Sequence, residues 1–179
     1  MARQPIPYQP IDLAEPKDIV DAVRKRRGGA LINLDRMLLH SAPFARGWNS
    51  FLKEVRENLS LDPQLREIAM CGVAVLNRAE YEFFHHAPEL LKAGGTQAQV
   101  DELRKLGTDA FNPKIFNEVG QDAANLTLYM TRDIVVPEEI MTRLQKALGN
   151  QATVELVGVV ATYNMVSRFL IALGVTPEH

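Results

Sequence analysis

The chain has 179 residues, a formal net charge of −2 and an isoelectric point near 6.1. That length suits one domain with a sizeable core, and so small a net charge supplies no basic field for nucleic acid. The single cysteine, Cys71, excludes an intrachain disulfide and any Cys-x-x-Cys redox pair.

The opening MARQPIPYQP lacks the apolar segment of a secretory signal. The longest uncharged apolar stretch, Leu156 to Ser167, is too short to span a bilayer. A soluble, cytoplasmic protein with no membrane association is expected. After an extended, proline-dotted arm, Pro16 opens a first helix that stops at Gly28-Gly29. The basic run Arg24-Lys25-Arg26-Arg27 falls on its last turn, where cations suit the helix dipole. A second helix is expected from about Ala30 to His40. After Ser41-Ala42-Pro43 a third carries Phe44, Trp48, Phe51, Leu52 and Val55 as one apolar stripe.

Asp62-Pro63, an N-cap followed by proline at the first helical position, starts the fourth helix. Asn77 with Glu80 reads as a capping box, so the chain should break near Asn77 and resume at about Arg78. Gly94-Gly95 ends that fifth helix, and Thr96-x-x-Gln99 opens a sixth over Gln97 to Leu106. Asn112-Pro113 opens a long helix on which Ile115, Phe116, Val119, Ala123, Leu126, Met130 and Ile134 recur every three to four residues. Pro137 begins a further helix ending near Gly149. The last, from about Ala152 to Leu173, is apolar nearly all round and is expected to be central or at a subunit interface. No stretch alternates with period two for long enough to read as a strand. The fold class is therefore all-α, with about seven to nine helices. An arm over 1–15 precedes a single helical domain over 16–179.

The chemistry concentrates between Leu65 and Gly95. Glu67 lies in a run whose neighbours Ile68, Ala69, Met70, Cys71, Val73, Ala74, Val75 and Leu76 are apolar, where a carboxylate must be paired or functional. Glu82 and His86 are four residues apart and share a helix face. If the Glu67 helix packs against theirs, three protonatable groups converge. Glu82-Phe83-Phe84-His85 is a Glu-x-x-His, but a di-metal carboxylate bundle needs two of them plus further glutamates. No metal is therefore expected.

The frame Glu67, Ala79, Glu82, His86 resembles the carboxymuconolactone decarboxylase and alkylhydroperoxidase D superfamily, whose peroxidase branch carries Glu-x11-Cys-x2-Cys-x3-His. Glu67 falls on the family glutamate and His86 on the family histidine, while Ala79 and Glu82 occupy the cysteine positions. NRAEYEFFHHAPELLKAGG, LVGVVATYNMVSRFLIALGV and HSAPFARGWNSF are similar to a cysteine-free subgroup. The core motif region covers about Phe51 to Met130. The resemblance implies an all-helical fold that assembles as a homo-oligomer, a trimer or hexamer with a dimer also possible, with sites near subunit contacts. Without a thiol pair, cysteine peroxidase chemistry is not expected, although ancestry connects the chain to alkylhydroperoxidases with peroxiredoxin activity. The expectation is a cofactor-free acid/base enzyme, of lyase type, acting on a small carboxylated or lactone-like molecule. Glu67, Glu82 and His86 are its candidate catalytic residues, and Trp48, Tyr81, His85, Arg78 and Tyr163 its candidate substrate-binding residues. Arg46, Arg78 and Arg168 are the candidates for gripping a substrate carboxylate. The competing expectation is a non-catalytic oligomer that binds a small molecule.

Overall fold

Eight α-helices and one 3-10 turn make up the regular structure of the computed structural model, which describes residues 5–178, and no strand occurs among the described residues. The first four residues of the expected arm, and His179, lie outside them. The helices are α1 (Lys17–Arg27), α2 (Asn33–Leu38), α3 (Ala42–Glu57), α4 (Pro63–Leu76), α5 (Glu80–Lys92), α6 (Gln97–Leu103), α7 (Glu118–Arg132) and α8 (Glu138–Ala172). Two compact units form, one from the residues up to Asn58 together with those from Leu170, the other from Leu59–Phe169.

In the first unit α1 and α2 both pack on α3. α1 ends as expected, with Gly28 in the left-handed region at φ 78°. Its basic run does more than complement the dipole. Arg26 Nη2 and Arg27 Nε donate to the buried Asp35 carboxylate at 3.3 and 3.0 Å, and Arg24 ties down the carbonyls of Ile11, Leu13 and Gly29. The arm is held on α2. Arg36 Nε donates to the Gln9 carbonyl at 2.6 Å, its guanidinium lies 5.0 Å from the Tyr8 ring, and His40 Nε2 meets the Pro7 carbonyl at 2.8 Å. Two expectations need correction. α2 is only six residues long. On α3 the buried stripe is Ala45, Trp48, Leu52 and Val55, whereas Phe44 and Phe51 are 47% and 50% exposed. Ala45, not Phe44, shares the buried face.

The second unit is built around α4, which packs on α5, α6 and α7 and is buried along nearly its whole length. The Asp62 side chain accepts from the backbone N–H groups of Gln64 and Leu65, satisfying two of the donors that a helix start leaves open. Asp62→Ala should therefore lower stability by about 1 kcal/mol, read as a lower urea midpoint at unchanged slope. Thr96 and Gln99 form the expected reciprocal box. The Asn77–Glu80 box does not form. Asn77 is the C-cap of α4, and Arg78 enters the left-handed region at φ 58°. Hydrogen bonds from Ala79 N to Ala74 O and from Arg78 N to Val75 O close a Schellman turn. The Asn77 amide instead donates to Asn164 Oδ1 and Ser167 Oγ of α8 at 3.0 and 2.7 Å.

Asn112-Pro113 opens only the 3-10 turn Pro113–Ile115, and α7 starts later, capped by the Asn117 side chain on Gly120 N. Phe116, Ala123 and Leu126 are buried as expected, but Ile134 lies beyond the helix and is 76% exposed. Gly149, at φ 75° and ψ 174°, breaks α8 where the sequence placed the boundary between two helices. The segment after it buries Leu156, Val159, Val160, Tyr163 and Val166 on one side. Its other side leaves Val154, Gly158, Ala161 and Met165 exposed. α8 has the length and apolarity of a membrane span, with 44% of its most apolar window buried, a pattern shared by core helices of soluble proteins.

Candidate functional site

α4 and α5 run into one another through the Schellman turn at Arg78, and this turn returns α5 along α4 so that residues 19 apart in sequence meet. His86 Nδ1–H donates to Glu67 Oε2 at 2.8 Å. Glu67 is 5% and His86 13% exposed at the side chain. The other carboxylate oxygen, Oε1, accepts from Arg66 Nε at 3.2 Å. Because a carboxylate only accepts, the neutral imidazole carries its proton on Nδ1 and presents Nε2 as a lone pair. Among the described residues no group hydrogen-bonds to Nε2. The Tyr163 ring, fully buried on α8, packs perpendicular to the imidazole, with ring centroids 4.9 Å apart and an interplanar angle of 85°, and limits how the imidazole can rotate.

Burial works to raise the Glu67 carboxyl, but the hydrogen bond and charge of His86, together with Arg66, outweigh it and hold the group below its ordinary value. The carboxylate is therefore the stable form beside His86. Cys71 lies one turn further along α4 and is completely buried. Burial, reinforced by the charges of Glu67 and Glu82 against the opposing Arg104, pushes its thiol far above the usual range. A thiolate is strongly disfavoured there.

Of the residues singled out from sequence, Glu67, His86 and Tyr163 meet directly. Glu82 is 2% exposed on α5 and near enough to Cys71 to raise its thiol, but it is Glu67 that accepts the hydrogen bond from His86 Nδ1–H. The Tyr81 and His85 rings meet at a tilt of 53° with centroids 4.5 Å apart, and Phe84 meets His85 edge-on at 5.2 Å. Trp48 belongs to the first unit, buried on α3 with its ring 5.8 Å from Phe44. The three arginines named for a substrate carboxylate are differently disposed. Arg46 pairs with Asp18, Arg168 donates to the Asn164 carbonyl and Oδ1, and Arg78 is exposed on its turn. Sequence reasoning overlooked Arg66, whose only signal is that it immediately precedes Glu67. Among the described residues no group of three or more His, Cys, Asp or Glu side chains is placed to hold a metal ion.

Residues 42–115, which include this whole α4–α5 hairpin, match the carboxymuconolactone decarboxylase family. The chain is similar in structure to an uncharacterized peroxidase-related protein from Silicibacter sp. TM1040, with a TM-score of 0.77 at 16% identity over 99% of this chain and 96% of that one. It is also similar to the alkylhydroperoxidase AhpD core of an uncharacterized peroxidase-related protein from Ralstonia eutropha JMP134, with a TM-score of 0.78 at 16% identity over 98% and 94%. No curated protein matches the chain. The family match is confined to residues 42–115, which carry the α4–α5 site, and the likeness to the two solved structures is one of all-helical fold.

Proposed function

We propose that this protein is a cofactor-free acid/base enzyme of lyase type that decarboxylates a small lactone-like acid, with His86 as the proton-transfer group and Glu67 as its orienter. The observation that carries this reading is the 2.8 Å contact from His86 Nδ1 to a buried carboxylate. It fixes the tautomer, stabilises the imidazolium and leaves Nε2 as the working atom. In the step envisaged, the C–C bond to the substrate carboxylate breaks and CO2 departs. The electron pair passes into the conjugated lactone as a dienolate. Nε2–H of the imidazolium protonates the dienolate carbon, and the imidazole regains its proton from water.

Thiol-based peroxide reduction fits the site less well. It needs a reactive thiolate and a second thiol to resolve the sulfenic acid. Cys71 is the sole cysteine and is buried where its thiol stays protonated. The reading is tested by following loss of 4-carboxymuconolactone by ultraviolet absorbance with purified protein at neutral pH. Decay above the spontaneous rate, proportional to enzyme, is expected. A rate equal to the buffer blank would exclude this substrate and return weight to a binding role.

A further inference from the structure

The reading of His86 as the proton-transfer group leaves open how an acidic substrate is held, and one neighbouring side chain stands out. Arg66 is adjacent to Glu67 on α4 and shares its carboxylate with His86, Arg66 Nε on Oε1 and His86 Nδ1 on Oε2. Its side chain is only 18% exposed. A guanidinium there to neutralise Glu67 would turn its fork onto the carboxylate and form two parallel bonds. Here the contact is through Nε alone, and among the described residues neither Nη group has a hydrogen-bond partner. A mostly covered guanidinium whose two Nη groups have no acceptor among the described residues keeps both donors available to a ligand.

We infer that Arg66 is the substrate-binding residue that takes the carboxylate of a small organic acid on its Nη edge, next to the Glu67–His86 pair. This inference rests on the proposed role of His86. The charges suit it. Arg66 and a protonated His86 carry two positive charges, Glu67 supplies one negative charge, and a bound carboxylate completes a neutral set. The geometry also suits a planar anion, because the two Nη groups present coplanar donors spaced for two carboxylate oxygens. Glu67 thereby serves both cations, ordering the proton donor with one oxygen and the anion fork with the other.

The test is a titration of the full chain with acetate, succinate and muconate, followed by the imidazole NMR signals of His86, assigned with His86→Gln. A saturable shift of the His86 signals is expected in the wild type. The apparent affinity should fall by roughly tenfold or more in Arg66→Gln and by about threefold or less in Arg66→Lys, which keeps the charge but loses the fork. Retention of the Nδ1–H signal in Arg66→Gln separates lost anion binding from a collapsed Glu67–His86 pair. Equal affinity in wild type and Arg66→Gln would overturn the assignment. So would no saturable shift with any of the three acids, or inorganic phosphate binding as tightly as they do. The two claims fail separately. If His86→Ala still decarboxylates while Arg66→Gln loses carboxylate binding, the role of His86 falls and the anchor stands. If His86→Ala is inactive while Arg66→Gln binds carboxylates normally, the anchor falls and His86 stands.

Discussion

His86→Ala is expected to lower kcat for 4-carboxymuconolactone by a factor of about 10²–10⁴, the usual contribution of a positioned general acid or base. Unchanged turnover would remove His86 from the mechanism. The same substitution has a second, independent readout in the pH dependence of stability. In the wild type the Glu67 carboxyl is held below its ordinary value of 4.5, because His86 and Arg66 outweigh burial. A folded-state pKa below the unfolded one stabilises the protein above the unfolded value, and that stabilisation is lost as pH falls through the lower folded value. Removing His86 takes away its hydrogen bond and its charge, while the burial that raises the group remains. The carboxyl of Glu67 should then titrate at higher pH, so that its stabilising contribution at neutral pH is lost and less remains to be lost on acidification. Thermal midpoints measured from about pH 3 to about pH 7 should show His86→Ala furthest below wild type near neutral pH, with the gap narrowing as pH falls. A gap that stays constant across this pH range would mean that the Glu67 carboxyl does not depend on His86.

Gly72→Leu is expected to cost about 3 kcal/mol or more, at the upper end of what overpacking a well-filled core usually costs. For a chain of this size that corresponds to a fall in Tm of roughly 6–12 °C. Gly72 is on α4, where an added Cβ would stand 3.0 Å from both Leu106 Cδ2 and Thr127 Cγ2. Leu106 is 2% exposed and has little room to retreat. Thr127 is no freer, since its hydroxyl donates to the Ala123 carbonyl at 2.8 Å within α7, and turning its methyl away would break that bond. Gly72→Ala should cost much less, because alanine regains up to about 1 kcal/mol of helix propensity. Adding Thr127→Ser, which deletes the obstructing methyl, should recover part of the loss. Thermal melts of the three variants check the account, and a Gly72→Leu protein as stable as wild type would refute it.

The helix ends were legible because they are local. Asp62-Pro63, Thr96 with Gln99, and Gly28 each satisfy or terminate a helix through groups within a few residues, and the structure uses each in the way its chemistry prescribes. Gly149 likewise marked the break in α8. Local signals misled where two readings compete for one residue. Asn77 has the chemistry to cap α5, but its amide finds Asn164 and Ser167 of α8, partners 87 and 90 residues away. Asn112-Pro113 looked like the start of α7, yet Asn117 caps it, and a 3-10 turn intervenes. On α3 both Phe44 and Ala45 fit a helical period with Trp48, and only the packing of α1 and α2 determined that Phe44 stays outside.

For the site, the sequence by itself fixed which residue types were unusual. A glutamate inside an apolar helix, and a histidine one turn beyond another glutamate, stand out from composition and spacing alone. Which carboxylate would hold the imidazole was a choice that only the tertiary structure made. It depends on the angle at which α5 returns along α4, set by a left-handed Arg78 that no residue preference announces. Arg66 remained unnoticed for the same reason. A fully exposed arginine and one mostly covered beside a buried carboxylate are identical in sequence, and they differ only in what the rest of the chain places around them.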